Sequence, residues 1–179
     1  MKDLTVKIGI KEDADVLSSI ANTAFELACP PDSDREEIAN YVAKNFNPAK
    51  FMQLLADEGT LLMCAWDGEI AIGFLVLKIL SECPVEHAIG NTPIQTAELQ
   101  RLYLLPEYHG SGAAQLLLSC ALTLCAKEKR RAVWLTVFSE NERAIRFYNK
   151  SGFAKTGSIH FKMGSEVHLD DVMLAEVFF

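Results

Sequence analysis

The sequence predicts a mixed α/β fold in one domain, residues 1–179, with about seven strands and flanking helices. Three observations carry this expectation. Strand and helix patterns follow one another in the order β-α-α-β-β-β-α-β-α-β-β. Two turn signals, Asp67-Gly68 and Gly164-Ser165, lie between extended runs, as hairpin turns do. Prolines fall between the periodic segments or in a first helical turn.

Leu4–Ile10 alternates apolar and polar residues, as a half-buried strand does. Over Asp13–Cys29, the residues Val16, Leu17, Ile20, Ala24 and Leu27 form one stripe, which predicts an amphipathic helix stopped by Pro30-Pro31. Ser33 and Asp34 suit the cap of a second helix reaching about Asn45. Pro48 opens a short third helix to Ala56. Thr60–Trp66 and Glu69–Leu80 are strands around Asp67-Gly68. Ser81–Pro93 is polar and reads as a loop. Thr96–Leu105 is a strand ended by Pro106, and a helix follows from Ala113 to about Lys129. Ala132–Phe138 is bulky on both faces, which marks a central strand. Glu142–Lys150 is a short helix stopped by Gly152. Phe153–Met163 and His168–Phe179 form a final antiparallel pair.

Half of the residues are hydrophobic, so the chain can bury a sizeable core without staples. Its net charge of −7 suits it poorly to a nucleic-acid backbone and is compatible with a cationic small substrate. The longest apolar run, near Ile70–Leu77, is broken by Gly73 and too short to span a bilayer. The first residues lack the continuous apolar stretch of a secretory signal. Five cysteines form no Cys-x-x-Cys pair and no zinc-type cluster. Cytoplasmic location, buried free thiols, no metal, no membrane and no nucleic-acid partner are the expectations.

The segment YHGSGAAQ, Tyr108–Gln115, puts two glycines just ahead of an apolar helix. The first N–H groups of a helix lack internal partners, and the dipole adds partial positive charge. Glycines let that backbone approach an anion. A tight structural turn and a phosphate cradle both fit the pattern. A Walker loop is excluded, because no Gly-Lys-Ser/Thr follows. A dinucleotide fingerprint is excluded too: Gln115 stands where its third glycine belongs, and Arg130-Arg131 where its acid belongs.

The longer segment ELQRLYLLPEYHGSGAA, Glu98–Ala114, resembles the acetyl-coenzyme A signature of the GNAT N-acetyltransferase superfamily. That family's loop has the pattern Arg/Gln-x-x-Gly-x-Gly/Ala. Gly112 and Ala114 fit it, and His109 departs from it. NERAIRFYNKSGF, Asn141–Phe153, matches the family's N-x-x-A-x-x-F-Y-x-x-x-G-F at every fixed position. The tail TGSIHFKMGSEVHLDDVMLAEV resembles the C-terminus of PaiA-type polyamine acetyltransferases. The resemblance implies a GNAT fold, a mostly antiparallel sheet with a splayed central strand pair. It implies acetyl-CoA as cosubstrate and direct transfer to a small amine, with a polyamine such as spermidine or spermine as the lead acceptor. A peptide N-terminus or another small amine is the alternative. A non-catalytic acyl-CoA-binding module is the competing class, and a homodimer stays open.

By the same resemblance, coenzyme contacts fall to Leu102, Tyr103 and Leu104 on the splayed strand and to His109, Gly110, Ser111, Gly112, Ala113 and Ala114 in the loop. Asn141, Phe147, Tyr148 and Lys150 complete them, with Asn141 doubling as a helix N-cap. Amine attack on a thioester needs a base, a donor for the developing oxyanion and a proton for the leaving thiolate. Glu98 is the implied base, Leu102 N–H the oxyanion donor and Tyr148 the acid. A glutamate of pKa about 4.3 is weak against an ammonium near 10, so Glu98 is expected to act through water or with its pKa raised by burial. Gln100 shares its face by strand alternation. His109 is expected to titrate near pH ~6.5 and gain charge beside phosphate. His160 and His168 are expected at the surface, Cys120 and Cys125 in the core, and the Lys127–Arg131 cluster at a solvated helix end. Glu26, Asp32, Asp34, Glu36 and Glu37 make either an acidic field for a polycation or an ordinary polar helix surface.

Overall fold

Extended backbone must find partners for both of its edges, so strand pairing decides where a site can open. A computed structural model of the chain describes residues 3–30, 32–85 and 95–178. Its strands are β1 (Leu4–Ile8), β2 (Thr60–Asp67), β3 (Ile70–Lys78), β4 (Thr96–Leu104), β5 (Ala132–Phe138), β6 (Ala154–Met163) and β7 (Glu166–Glu176). Its helices are α1 (Ala14–Glu26), α2 (Arg35–Asn45), α3 (Pro48–Ala56), α4 (Ala113–Lys127) and α5 (Glu142–Lys150). All seven strands join one sheet in the order β1-β2-β3-β4-β5-β7-β6. Among the described residues, only the β4–β5 pair is parallel. Among the described residues, no helix is long and apolar enough to cross a membrane.

The expected elements are present, with shifted ends. β1 stops at Ile8, and a 3-10 turn, Lys11–Asp13, follows; Asp13 takes the N–H of Ile10 at 2.9 Å. α1 ends at Glu26, three residues before Cys29. A second 3-10 turn, Pro106–Tyr108, joins β4 to the glycine loop. β7 begins at Glu166, because a two-residue turn with Gly164 at φ 60° pairs Met163 directly with Glu166. The expected Ser81–Pro93 loop is irregular over 81–85, and its remainder lies outside the described residues.

Alternation along β3 divides the core. Leu75 and Leu77 face Leu117, Leu118 and Ala121 of α4, which explains why that helix is apolar for most of its length. Phe74 and Val76 face Leu17, Ile20 and Ala21 of α1, with Phe46 and Phe51. Phe51 meets Phe74 edge to face, with ring centroids 5.3 Å apart. α2 docks on the β6–β7 turn through carboxylates. Glu37 accepts from the N–H and hydroxyl of Ser165 at 3.0 and 2.8 Å, and Glu166 accepts from the N–H of Asp34 at 2.8 Å.

β4 sets the geometry of the centre. It pairs with β3 from Lys78↔Glu98 to Gly73↔Leu104. It pairs with β5 only at Thr96↔Ala132, Ala97↔Val133 and Glu98↔Trp134. Beyond Glu98 the two strands part, while β5 keeps β7 along its other edge. Leu105 N–H reaches Ile72 C=O at 2.9 Å on the β3 side. Strand alternation then turns the N–H groups of Leu104 and Leu102 to the open edge. A register shift sets Val76 against Arg101 and Leu77 against Leu99, so Gln100 is the extra residue of a β-bulge.

Gly73 lets β3 approach β4 at this point. A Cβ there would fall 2.5 Å from Tyr103 C=O and would overlap the Leu104 side chain. Gly73→Ala is expected to lower stability by about 1–3 kcal/mol in urea denaturation. An unchanged midpoint and slope would contradict the close approach.

Candidate active site

The parting of β4 and β5 opens a cavity of about 440 Å³. β4 lines it from Glu98 to Tyr103, and β5 through Trp134, Thr136, Val137 and Phe138. Asn141 and Tyr148 of α5 reach it, as do Cys29, Tyr41 and Phe46 from the region of α1 and α2. Phe161, His168 and Asp170 of the β6–β7 hairpin contribute to the same walls. Of the residues expected at the site, the fold brings Glu98, Leu102, Tyr103, Asn141 and Tyr148 to this cavity. Leu104 points into the main core, and the loop from His109 to Ala114, Phe147 and Lys150 lie outside the cavity walls.

Glu98 is half-buried, and the Ser81 hydroxyl donates to its Oε2 at 3.1 Å. Ser81 is itself held: its carbonyl accepts from Thr96 Oγ1 and, at 3.2 Å, from Trp134 Nε1. Tyr148 is 8% exposed and packs against Phe147 and Phe153, with centroids 5.2 and 5.6 Å away. Burial pushes its phenol well above the ordinary value, so it stays protonated at neutral pH. Asn141 caps α5, accepting from Ala144 N–H at 3.1 Å. At the other end Gly152, at φ 90°, closes the helix, and Phe153 N–H reaches back to Tyr148 C=O at 3.0 Å. That closure fixes the turn carrying Tyr148.

The loop ahead of α4 has left-handed backbone at Gly110 (φ 77°) and at Gly112 (φ 92°), the helix N-cap. A Cβ at either position would meet nothing within 4 Å, so the backbone turn demands glycine and the front of the loop is open. Ser111 Oγ takes the N–H of Ala113 at 3.3 Å. The first-turn N–H groups of Ala114 and Gln115 have no partner among the described residues.

Two expectations need correction, and one open choice is resolved. His109 does not gain charge near its ordinary pKa: partial burial first, and the Arg143 guanidinium second, hold it below. Arg143 Nη1 donates to His109 Nδ1 at 2.9 Å, so the cation beside this loop comes from α5. His168 is not at the surface; it is half-buried, lines the cavity and pairs with Glu166 at 2.9 Å. Of the two readings of the early acids, the ordinary polar surface fits the fold, since none of them lines the cavity. Asp34 caps α2, accepting from Glu36 N–H at 2.7 Å, and Glu37 holds the hairpin turn.

Sequence reasoning missed Arg101, Asp170 and Cys29. The Arg101 guanidinium lies 4.7 Å from the centre of the Phe46 ring. Asp170 is 9% exposed, and burial pushes its carboxyl upward. The available signal was an aspartate pair, Asp170-Asp171, inside a strand, where that residue is unusual. Partial burial, with Glu166 and Glu26 adding, pushes the Cys29 thiol up to about 11.

The His109–Arg143 contact gives a direct test. In an NMR titration His109 is expected to ionise below its ordinary value, and Arg143→Gln to raise that pKa by removing a nearby positive charge. A pKa unmoved by the substitution would show that the two side chains are not coupled.

Residues 17–153 match the model of the Acetyltransferase (GNAT) family. The chain is 38% identical over 166 residues to an uncharacterised N-acetyltransferase of Mycobacterium tuberculosis, across 92% of this chain and 98% of that protein. A spermidine N(1)-acetyltransferase of Thermoplasma acidophilum is 25% identical over 146 residues, across 79% of this chain and 83% of that protein. Among solved structures, the PaiA N-acetyltransferase of Thermoplasma acidophilum in complex with coenzyme A aligns with a TM-score of 0.78 at 24% identity. That alignment covers 97% of this chain and 99% of the other, so the fold agrees nearly end to end. With that agreement and a family match across most of its length, the chain belongs to the GNAT family of acetyltransferases.

Proposed function

We propose that this chain transfers an acetyl group from acetyl-CoA to a small primary amine, by direct attack within a ternary complex. The main support is the meeting of Glu98, Tyr148 and the open edge of β4 at one cavity. The residues present also fit the coenzyme. The loop offers free helix N–H groups and an open, glycine-shaped front, which suit a pyrophosphate. The unpaired edge at Leu102 and Leu104 suits an extended arm that carries amides of its own. His109 to Ala114 would hold the phosphates, Leu102 to Leu104 the arm, and Asn141, Phe147 and Lys150 its flank. Acetyl-CoA, when bound, supplies the thioester carbonyl that the amine attacks.

The chain's own residues supply the rest. Glu98, oriented by Ser81, takes a proton from the incoming ammonium through water. Leu102 N–H faces the negative charge that develops on the acyl oxygen, and a donor so placed is worth about 3 kcal/mol. Tyr148 gives a hydrogen bond, then a proton, to the departing sulfur. Burial weakens the phenol as an acid, yet the same walls desolvate the thiolate beside it, which keeps the two acidities comparable. Cys29 stays a thiol at neutral pH, which favours direct transfer over an acyl-cysteine route.

A polyamine acceptor is supported by the spermidine acetyltransferase among the relatives, and by Glu98 and Asp170 on the cavity wall. A second reading, a small amine that also bears an anionic group, is favoured by Arg101 on the same wall.

Release of free coenzyme A thiol, followed across an amine panel, tests the activity. Tyr148→Phe is expected to lower kcat about 100-fold or more and coenzyme affinity far less. Wild-type turnover in that variant would remove the acid from Tyr148. Coenzyme binding with no amine-dependent release would instead favour a sensing module. Because the phenol stays protonated, kcat should not fall on the alkaline side up to pH ~10.

A further inference from the structure

We infer that Arg101 anchors a carboxylate of the acceptor, so that the amine substrate is an amino-acid-like molecule, negatively charged at one end. This rests on reading the cavity as the acceptor site, and it departs from a polyamine in the group recognised.

The β-bulge is the first step. Regular alternation would turn Arg101 away from Glu98 and Gln100. The extra residue at Gln100 resets the alternation, so Gln100 and Arg101 both line the cavity. Downstream, Tyr103 and Leu105 share Arg101's face, while Leu102 and Leu104 pack on the α4 side.

The second step is the state of the guanidinium. It stacks on Phe46, which packs against Phe25, Tyr41 and Tyr103 at centroid distances of 5.0, 5.9 and 5.9 Å. Stacking fixes the plane and leaves its edge donors for a partner. Arg101 makes no ion pair among the described residues. Its Nη1 is buried without a hydrogen-bond partner. The titratable groups acting on it are the Tyr103 and Tyr41 phenols, which burial keeps protonated and neutral, and no carboxylate is among them. A desolvated guanidinium without an anion is costly, and burial pulls its pKa down. A carboxylate arriving in the cavity removes that cost and matches the guanidinium fork.

The third step is the neighbour. Gln100 Oε1 is also buried without a partner. An orphan acceptor and an orphan donor thus sit on adjacent residues of one wall. An amine N–H suits the first and a carboxylate the second. A chain of ammonium groups satisfies Gln100 but is repelled by Arg101.

The test uses the full chain with acetyl-CoA and matched acceptors: α-amino acids and short dipeptides against their carboxamides, with spermidine alongside. The carboxylate member of each pair is expected to have a kcat/KM about tenfold or more higher, through KM. Arg101→Met, which removes the guanidinium and keeps an unbranched apolar side chain, should abolish that preference by bringing the acid down to its carboxamide. Arg101→Lys should restore part of it. Equal rates for acid and amide, or a spermidine preference that Arg101→Met leaves intact, would overturn the inference and leave the transferase standing. If no amine supports thiol release, the proposed function fails instead. Calorimetry of each pair on coenzyme A-loaded protein then decides Arg101. Tighter binding of the acid, lost in Arg101→Met, upholds the anchor, and equal binding removes it.

Discussion

β4 and β5 share three register pairs and then part, each held on its outer side by another strand. Backbone amides left without a ladder inside a protein are unfavourable unless water or a ligand meets them. The sheet therefore contains a strand-shaped gap that an amide-bearing guest can fill. The other parts are arranged around that gap. α5 supplies Tyr148 and Asn141 at one end, while the aromatic group of α1 and α2 and the final hairpin supply the other. Had the parallel ladder continued, Glu98 and Tyr148 would share no cavity.

The hairpin belongs to this arrangement through electrostatics at its turn. Glu37 and Glu166 tie α2 to β6–β7, and Glu166 also holds His168. These carboxylates are spent on position and not on a substrate. The N–H of Asp34 first, and then His168, hold Glu166 below the usual carboxylate range. The contribution of such a depressed carboxylate is present above its unfolded pKa and is lost as pH falls through its folded value. Acid thus loosens the tie between α2 and the final hairpin.

Much of this was legible in the sequence. Pro48, Asn141 and Gly152 marked helix ends where the helices do begin and stop. Gly110 and Gly112 marked a turn of unusual backbone freedom, and both do take left-handed backbone there. Glu98 and Tyr148 were found through a motif, and the fold brings them to one cavity. What stayed hidden depends on register and tertiary contact. The bulge at Gln100 exists only relative to β3, so nothing in the sequence pattern brought Arg101 to the wall that holds Glu98 and Gln100. His109 was read alone, and its cation lies 34 positions away on another helix. Whether Asp34 and Glu37 served a ligand or the fold stayed open, because the partners that tie them to the hairpin lie 132 and 128 positions downstream.

The bulge divides one short strand into two kinds of surface. Toward the parting, Leu102 and Leu104 present main-chain amides, which every residue except proline supplies. Toward the aromatic wall, Glu98, Gln100 and Arg101 present side chains, which change with every substitution. Heritable variation therefore acts unequally on the two. Mutations in β4 can alter the side-chain wall residue by residue, while the row of main-chain amides is passed on intact. A scaffold of this kind diversifies at one end of a strand without having to reinvent the other.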